Sequence, residues 1–428
     1  MSETTLAKQV LAGIQKAGFD RATCQVNSDE LHELQAENSD INLFRTNFET
    51  EINLSGISDQ RRASLSINKT DDETISLAIQ DLKSMADGAN PDEAFDIAEC
   101  QSAEVFESGP TEPDYDLMYD RIKDLLDYVK GKYPTLNLRS VGITYFNRRS
   151  SMVNTNGVQF ESTRGQYRVS ISFSSKDGLD TSSMMYTGFS RYDLEGALKD
   201  AVNLDDLFQQ STEQVRTEHL PHKFVGDLVI APTCLPSFLG FLTARLGDGP
   251  LISGTSVYKD KLGEMVASDL LTLSSGPVSD EICSGYWVTG DGYKAMNSTI
   301  LDKGKLDSYL LGLYGANRTG LPRAVNSGGC YIVEPGVHSY DEIIGQVKEG
   351  ILINRFSGGR PSDRGDFSGV AKNSYYIKDG EIQFPIKETT VSGNMVDLLQ
   401  SIESISSDRL NSGGSVYPWV RASSVTAS

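Results

Sequence analysis

The stretch GGRPSDRGDF, residues 358–367, carries the densest alternation of charge in the chain. Its charged side chains are Arg360, Asp363, Arg364 and Asp366. A guanidinium group presents paired N–H donors that match a carboxylate, so this loop could bind the termini of a peptide or the charges of a partner protein. Alternatively, the loop is solvated and its own ion pairs hold it together, each contributing about 1 kcal/mol at most. The residues alone leave both interpretations open.

Cys330 is the weak candidate for a nucleophile. It follows Ser327-Gly328-Gly329, where small residues allow the backbone to approach closely. A nucleophilic cysteine needs a neighbouring base to maintain its thiolate, and none stands nearby in the sequence. The pattern therefore favours a buried, inert thiol over a reactive one.

Metal-ligand patterns are weak. His219 and His222 are spaced as a ligand pair, but no carboxylate or cysteine cluster accompanies them, which favours a solvated linker. His338 is interpreted as a loop residue. The 5 cysteines are scattered without a C-x-x-C pair, a pattern typical of reduced thiols in the cytosol.

Charge and hydropathy restrict the class of protein. The net charge of −20 opposes a phosphate backbone, so nucleic-acid binding is unlikely to be the function. The pairs Arg61-Arg62 and Arg148-Arg149 are interpreted as solvated residues of edge strands. We find no apolar run of about 20 residues and no secretory signal, and therefore predict a cytoplasmic protein.

The N-terminal half predicts an α+β module that occurs twice. The first unit, 1–105, has a helix over Thr4–Ala17, three strands, and a helix to about Asp87 that starts at a Thr70–Glu73 capping box. The second, 114–218, has a helix over Asp114–Lys130, strands turning at Asn156-Gly157 as a type I′ hairpin, and a helix near Tyr192–Asn203. Residues 88–113 are predicted to be a linker or surface crossing.

The C-terminal half predicts a β-rich domain of antiparallel sheet with flanking helices. Phe224–Ala231 indicates a buried strand, followed by a helix over Thr233–Arg245 with Pro232 in its first turn. Further strands are predicted at Gly285–Val288, Asn297–Leu301 and Lys305–Leu313. Asp379-Gly380 predicts a tight hairpin whose second strand, ending at Pro385, lies at a sheet edge. We place the domains at 1–218 and 219–428.

Three segments of the C-terminal half carry a family resemblance. They are DGYKAMNSTILDKGKLDSYLLGLYGANRTGL, NSGGCYIVEPG and GDFSGVAKNSYYIKDGEIQFPIKETTVSGNMVDLL. Together they resemble the C-terminal domain of the TldD/PmbA family, once called modulators of DNA gyrase. The N-terminal segment SGISDQRRASLSINKTDDETISLAIQDLKSMA fits the same family more loosely.

The resemblance implies a peptidase system in which a zinc-bearing TldD-type subunit pairs with a TldE (PmbA)-type subunit and cleaves unfolded or modified peptides. The TldD-type metal motif is H-E-x-x-x-H on the helix after the first C-terminal strand. Here that helix reads TCLPSFLGFLTARLGDG, with Leu239 or Gly240, then Ala244 or Arg245, at the histidine positions. These residues cannot supply the electron pairs that zinc requires.

The leading hypothesis is therefore a TldE-like subunit that has no zinc or other cofactor of its own and forms a heterodimer with a TldD-type, zinc-bearing partner. Two alternatives stay open: an autonomous peptidase using Cys330 or another metal site, and a non-enzymatic modulator of gyrase or of a toxin–antitoxin pair. Self-association is also left open. The residues predicted for a peptide or partner cleft are Gly254, Thr255, Ser256, Gly328, Gly329, Cys330, Arg360, Asp363, Arg364 and Asp366.

Overall fold

The computed structural model describes residues 2–428, which form two β-sheets with helices packed around them. A single 3₁₀ turn, Leu198–Asp200, precedes the fourth helix. The α-helices are α1 Glu3–Lys16, α2 Asp72–Gly88, α3 Tyr115–Lys132, α4 Leu204–Glu213, α5 Leu235–Arg245, α6 Asp248–Ser253, α7 Leu313–Thr319, α8 Tyr340–Gly345 and α9 Met395–Gln400.

The first sheet has 8 strands and is built entirely from the N-terminal half. Its strands are β1 Arg21–Glu37, β2 Asp40–Ser58, β3 Arg61–Ile67, β4 Glu104–Ser108, β5 Leu136–Asn154, β6 Gln159–Asp177, β7 Asp180–Thr181 and β8 Met185–Arg191. The spatial order is β3-β2-β1-β5-β6-β4, and β8 pairs with a later part of β6 than β4 does.

The predicted duplication is visible in this topology. The succession helix, three strands, helix occurs first as α1-β1-β2-β3-α2 and then as α3-β5-β6-β8-α4, where the two-residue strand β7 is inserted between β6 and β8. The first strands of the two units, β1 and β5, pair antiparallel at the centre of the sheet. Two units that would each have an open edge thus share one continuous hydrogen-bonded sheet, which removes one exposed edge from each.

The second sheet has 13 strands and belongs to the C-terminal half. Its strands are β9 Phe224–Ile230, β10 Leu273–Ser275, β11 Ser298–Asp302, β12 Lys305–Leu306, β13 Tyr331–Val333, β14 Glu349–Ile353, β15 Arg355–Gly358, β16 Asp366–Lys372, β17 Ser374–Lys378, β18 Glu381–Ile386, β19 Thr389–Asn394, β20 Ile402–Asn411 and β21 Val416–Ala427. It is antiparallel except for the pairs β9–β14 and β13–β21. The α+β fold class predicted from the sequence is confirmed.

The first sheet has one apolar and one polar face because side chains alternate along each strand. On the apolar face, residues such as Cys24, Ile52 and Val153 pack against α1 and α2, and Val141 and Val169 pack under α3 and α4. The opposite face carries amides, hydroxyls and guanidinium groups, and it faces the C-terminal half. The apolar face of this sheet therefore contributes to the hydrophobic core, and the polar face is available for binding.

The segment predicted to be a linker, residues 88–113, is more ordered than expected. Its residues Glu104–Ser108 form β4, which pairs parallel with β6. Asp92 accepts a hydrogen bond of 2.9 Å from the hydroxyl of Tyr314, and Phe95 stacks on the same ring with centroids 5.0 Å apart. The prolines and acidic residues had suggested a free crossing, but side-chain contacts with the C-terminal half fix its course.

Several local predictions need correction. The N-cap of α2 is Asp71, whose carboxylate accepts from the Thr74 amide, so the Thr70–Glu73 capping box does not form. The helix predicted near Tyr192–Asn203 is wrong, since that range has only the 3₁₀ turn Leu198–Asp200; the helix α4 begins at Leu204, because its apolar residues pack against the first sheet. The first-turn proline of α5 is Pro236, not Pro232.

Of two further predicted strands, one is absent and the other is shorter than expected. Residues 285–288 form a loop with one isolated bridge, Val288 to Lys294. The strand predicted over Lys305–Leu313 is the two-residue β12, and α7 starts at Leu313.

The two predicted hairpin turns differ in outcome. Asp379 and Gly380 both have positive φ, 49° and 82°, as a two-residue type I′ turn requires, and Pro385 lies on the edge strand β18 as predicted. Between β5 and β6 only Gly157 has positive φ, 95°, so that connection is a longer loop and the type I′ prediction is wrong.

No helix of residues 2–428 is both long and apolar enough to cross a bilayer. The assignment to the cytoplasm stays a prediction. So does the domain division at 218/219, although the last strand of the first sheet ends at Arg191 and the second sheet begins at Phe224.

Candidate functional site

The polar face of the first sheet and the C-terminal half enclose a cleft of 680 Å³. From the sheet, β1, β2 and β3 contribute polar side chains to one wall. The opposite wall comes from the start of α6, the start of α7 and the loop at Gly290-Asp291. The lining polar residues of the sheet are Thr23, Gln25, Asn53, Ser55, Arg62, Ser64 and Ser66.

Register explains why these side chains converge. Asn53 of β2 lies opposite Gln25 of β1 and Ser66 of β3, so the three side chains form a row across the sheet. Within the face, Arg62 Nε donates to Ser55 Oγ at 3.3 Å, and Gln25 Nε2 donates to Ser150 Oγ at 3.2 Å. Such a surface offers both donors and acceptors, which suits a ligand with many amide groups.

The opposite wall is held by one buried ion pair. Asp291 accepts from Arg323 Nε and Nη2, both at 2.8 Å, and from Thr289 Oγ1 at 2.6 Å. Burial would raise the pKa of the Asp291 carboxyl, but the bonds from Arg323 and Thr289 outweigh it and hold that pKa below its usual value. Asp291 therefore carries a negative charge that is already neutralised by Arg323.

Asp248 forms the other fixed point of this wall. Its Oδ1 accepts a hydrogen bond from the Gly312 amide at 2.9 Å. A Cβ added at Gly315 would lie only 2.1 Å from the same oxygen. Glycine at 315 is thus required for the carboxylate to reach the start of α7. Asp248 and Asp291, which accepts from the Leu313 amide at 2.9 Å, are structural anchors of α7 in this arrangement.

The cleft residues predicted from the sequence lie in three places. Ser256 is buried and donates to the carbonyl of Arg245 at 2.6 Å, beside Thr255 and the C-cap of α6, Gly254. Arg245 in turn pairs with Asp363 of the charged loop at 2.7 Å. The 254–256 segment and the loop are therefore neighbours, at a distance from the 680 Å³ cleft, whose lining includes neither.

The two aspartates of the loop have bonded partners, whereas Arg360 and Arg364 form no ion pair within residues 2–428. Asp366 accepts from Ser362 Oγ and Asn394 Nδ2, both at 3.0 Å, and those bonds hold its pKa below the usual value. Arg364 lies close enough to Asp366 to contribute to that lowering. Within residues 2–428, Arg360 has no ion-pair partner.

Gly328, Gly329 and Cys330 lie apart from the loop, near the cleft residue Ser327. Gly328 and Gly329 have φ of 107° and 88°, and Cys330 follows at 51°. The carbonyl of Gly328 accepts from Tyr286 at 2.6 Å and that of Gly329 from Ser275 at 2.8 Å. Burial raises the pKa of the Cys330 thiol to about 11, against a smaller opposing effect of Arg164.

Helix α5 presents the four residues that stand at the metal-motif positions. Leu239 is buried in the core, Gly240 and Ala244 are exposed, and Arg245 pairs with Asp363. Over residues 2–428, no group of three or more histidine, cysteine, aspartate or glutamate side chains is arranged to hold a metal ion. His219, His222 and His338 lie separately, the last two beside Glu349 and Glu342.

The sequence did not identify the polar sheet face as a site. Arg148 was interpreted as an edge residue, but it lies on β5, between β1 and β6 in the middle of the sheet. Arg62 does lie on an edge strand, β3, yet its side chain lines the cleft. The available signal was polar alternation on several strands of one sheet, which ordinarily indicates a solvated face.

Comparison with known proteins finds a family likeness in the C-terminal half of the chain. Residues 225–428 match the model of the PmbA/TldA metallopeptidase C-terminal domain. A metalloprotease of Methanothermobacter thermautotrophicus is 29% identical over 195 residues, which are 42% of this chain and 43% of that protein. Metalloprotease PmbA of Escherichia coli O157:H7 is 24% identical over 187 residues, 43% of this chain and 41% of that one. The chain thus spans about two fifths of these relatives.

Solved structures extend the likeness to the whole fold. TldE from Thermococcus kodakarensis superposes with a TM-score of 0.85 at 17% identity and covers 99% of this chain and 100% of its own. A Bacteroides thetaiotaomicron protein solved as a candidate modulator of DNA gyrase gives 0.85 at 21%, covering 99% and 98%. The fold is therefore that of the TldE-type proteins. At the level of sequence, the likeness to the PmbA/TldA metallopeptidases is to their C-terminal domain, over residues 225–428.

Proposed function

We propose that this chain is a TldE/PmbA-like subunit without zinc that pairs with a TldD-type metallopeptidase and helps to enclose or present unfolded or modified peptides. The observation that supports it best is the composition of α5. At the positions of the zinc motif it has an aliphatic side chain, a glycine, an alanine and a guanidinium group, none of which donates an electron pair to a metal. Hydrolysis then requires a metal supplied by another subunit.

The cleft supports the part of the proposal that concerns peptides. Its sheet wall carries amides and hydroxyls, and its 680 Å³ is sufficient for several residues of extended chain. Main-chain groups of a peptide are the same in every sequence, so a wall of mixed donors and acceptors can hold peptides of varied side chains. This property suits a peptidase of broad specificity.

An autonomous cysteine peptidase is less well supported. A thiol whose pKa is raised to about 11 is almost entirely protonated at neutral pH. Within residues 2–428, no histidine or carboxylate is hydrogen-bonded to Cys330, whose nearest polar contact is the carbonyl of Ser284 at 4.0 Å. The modulator hypothesis is less well supported wherever it involves DNA, because the net charge of −20 opposes direct contact with DNA.

The test is to purify this chain alone, a TldD-type partner alone and the mixture, and to measure zinc content and cleavage of an unstructured peptide. We expect the two chains to co-purify, zinc to follow the partner, and cleavage to need both and to be lost on chelation. Stoichiometric zinc in the isolated chain, required for hydrolysis, would overturn the proposal. So would cleavage by the chain alone that Cys330→Ser abolishes, or capture of a topoisomerase without any peptidase partner.

A further inference from the structure

A second cavity of 330 Å³ adjoins the cleft and shares Gln25 and Met152 with it. It lies on the same polar face, further along β5 and β6, beneath the loop at Ser284–Val288. Three guanidinium groups line it, those of Arg148, Arg164 and Arg168. We call it the arginine pocket.

Strand register assembles the arginines. Arg148 of β5 lies opposite Asp29 of β1 on one side and Arg164 of β6 on the other. Arg168 is four residues further along β6, on the same face. The arginines influence one another, since the charges of Arg148 and Arg164 add to the burial that lowers the pKa of Arg168.

Only one of the three has a carboxylate partner. Arg148 Nε and Nη2 donate to the two carboxylate oxygens of Asp29 at 2.6 and 2.5 Å. Within residues 2–428, no carboxylate pairs with Arg164 or Arg168. Three positive charges and one negative charge thus leave two positive charges uncompensated, in a chain whose net charge is −20.

The two unpaired guanidinium groups are nevertheless held in place. Arg164 stacks on Trp287 at 4.0 Å and donates to the carbonyl of Gly285. Arg168 lies over the Phe146 ring at 4.0 Å, and with the Gln166 amide turned so that its oxygen faces Arg168, Nε and Nη2 of Arg168 donate to that oxygen at 3.1 and 3.2 Å. Burial lowers the pKa of Arg164. Stacking and neutral acceptors fix the orientation of both cations but leave their charge available to an anion.

We infer that the arginine pocket binds the C-terminal carboxylate of a peptide whose preceding residues lie in the cleft. A planar carboxylate matches a guanidinium fork, and the shared residues Gln25 and Met152 make the pocket continuous with the proposed peptide path. The neighbouring amides and aromatic rings suit the last residues of a peptide better than a free inorganic anion. This inference rests on the proposed peptide-binding function.

The test measures the affinity of the full-length chain for a fluorescein-labelled, unstructured peptide made as the free acid and as the C-terminal amide. We expect the free acid to bind about 10-fold or more tightly than the amide, as expected for a hydrogen-bonded charge pair. Arg164→Gln and Arg168→Gln should each reduce this ratio, and the double variant should bring it close to one. Arg164→Lys keeps the charge without the fork and should give an intermediate ratio.

Arg139→Gln is the matched control, because Arg139 is an exposed arginine of the same strand β5 outside the pocket, and it should preserve the ratio. The acid-to-amide ratio is insensitive to a misfolded fraction, so partial unfolding of Arg164→Gln cannot imitate the expected result. Arg168→Gln, at an exposed position, provides a second and milder variant.

Equal binding of acid and amide, an undiminished ratio in the double variant, or no peptide binding would each overturn the inference. The inference would also be overturned if an amidated peptide ending in glutamate bound and the plain free acid did not. That outcome would show that the pocket binds a side-chain carboxylate and not the C-terminal one. Failure of the proposed function is seen separately, as absence of a complex with the TldD-type partner, which does not affect the ratio.

Discussion

The loop 358–366 and the polar face of the first sheet both carry arginines, but they differ in what surrounds the charges. In the loop, the aspartates have partners, but Arg360 and Arg364 are exposed, line no cavity of the cleft and form no ion pair within residues 2–428. On the sheet face, Arg164 and Arg168 line a cavity and no carboxylate neutralises them. The loop is the more conspicuous in sequence, yet the sheet face is the better supported binding surface.

The difference teaches that charge density along a chain is a poor guide to binding. An exposed arginine in a loop is solvated and needs no partner. Residues brought together by strand pairing are fixed by the ladder and cannot turn away from a like charge. Unneutralised charge that lines a cavity therefore indicates a ligand more strongly than unneutralised charge in an exposed loop.

The largest effect is expected for glycine substitutions that compare the wall of the arginine pocket with the loop. A Cβ at Gly285 would lie 1.8 Å from the carbonyl oxygen of Pro277, whereas one at Gly359 would meet nothing within 4 Å. Gly285→Ala should lower the free energy of unfolding by about 3 kcal/mol, since backbone atoms must move. Gly359→Ala should change it by less than about 0.5 kcal/mol.

Denaturant unfolding followed by tryptophan fluorescence measures both variants, and Trp287 lies in the affected wall. Similar unfolding midpoints for the two alanine variants would show that the backbone of the pocket wall adapts to a Cβ as easily as the loop does. That result would contradict the predicted difference in rigidity between the two regions.

The second comparison removes one carboxylate from the cleft wall that faces the sheet and one from the loop. Asp291→Asn breaks a bidentate pair with Arg323 in which both side chains are only 20% exposed, and should cost about 2 kcal/mol of stability. Asp363→Asn breaks the pair with Arg245, but Asp363 is 72% exposed, so the cost should be about 0.5 kcal/mol or less. Thermal unfolding at pH 7 measures both, and a larger loss for Asp363→Asn would contradict the comparison.

The pH dependence follows from the lowered pKa of Asp291. A carboxyl whose pKa is lower in the folded state stabilises the protein above its unfolded pKa, and this contribution is lost as the pH falls through the folded value. The difference in melting temperature between the wild type and Asp291→Asn should therefore be constant from pH 7 to about 5 and shrink below about pH 4. A difference that stays constant down to pH 3 would show that this carboxyl does not titrate in that range.

A smaller effect is expected when the loop charges are removed together. Arg360→Ala with Asp366→Ala should weaken peptide binding by about two-fold or less, because neither side chain lines the cleft. The same fluorescent peptide used for the arginine pocket provides the measurement. A ten-fold loss of affinity would show that the loop takes part in peptide binding and would contradict the preference for the sheet face.

The smallest effect is expected at Cys330. Because its thiol has a raised pKa and no hydrogen-bonded base, Cys330→Ser should leave peptide cleavage by the complex within about two-fold of the wild type. Iodoacetamide at pH 7.5 should modify the exposed Cys100 well before Cys330. Loss of cleavage in Cys330→Ser, with binding intact, would return this residue to the candidate nucleophiles.

Predictions based on neighbouring residues mostly agreed with the structure. Helix α1, strand β9 and the Asp379-Gly380 turn follow from periodicity and from residues that tolerate positive φ. The exact start of α4 and the course of residues 88–113 did not follow, because packing against the first sheet and contacts with Tyr314 decide them. Local propensity is overridden where a segment contacts a distant part of the chain.

The sequence by itself determined the α+β class, the duplicated order of elements and the lack of zinc ligands on α5, because these depend on residue types and their local spacing. Only the tertiary structure decided that Asp29, Arg148 and Arg164 form one row and that Trp287 covers it. A strand pairs with partners more than a hundred residues away, and a shift of one residue would turn every side chain to the other face. No local sequence pattern indicates which strands pair or in which register.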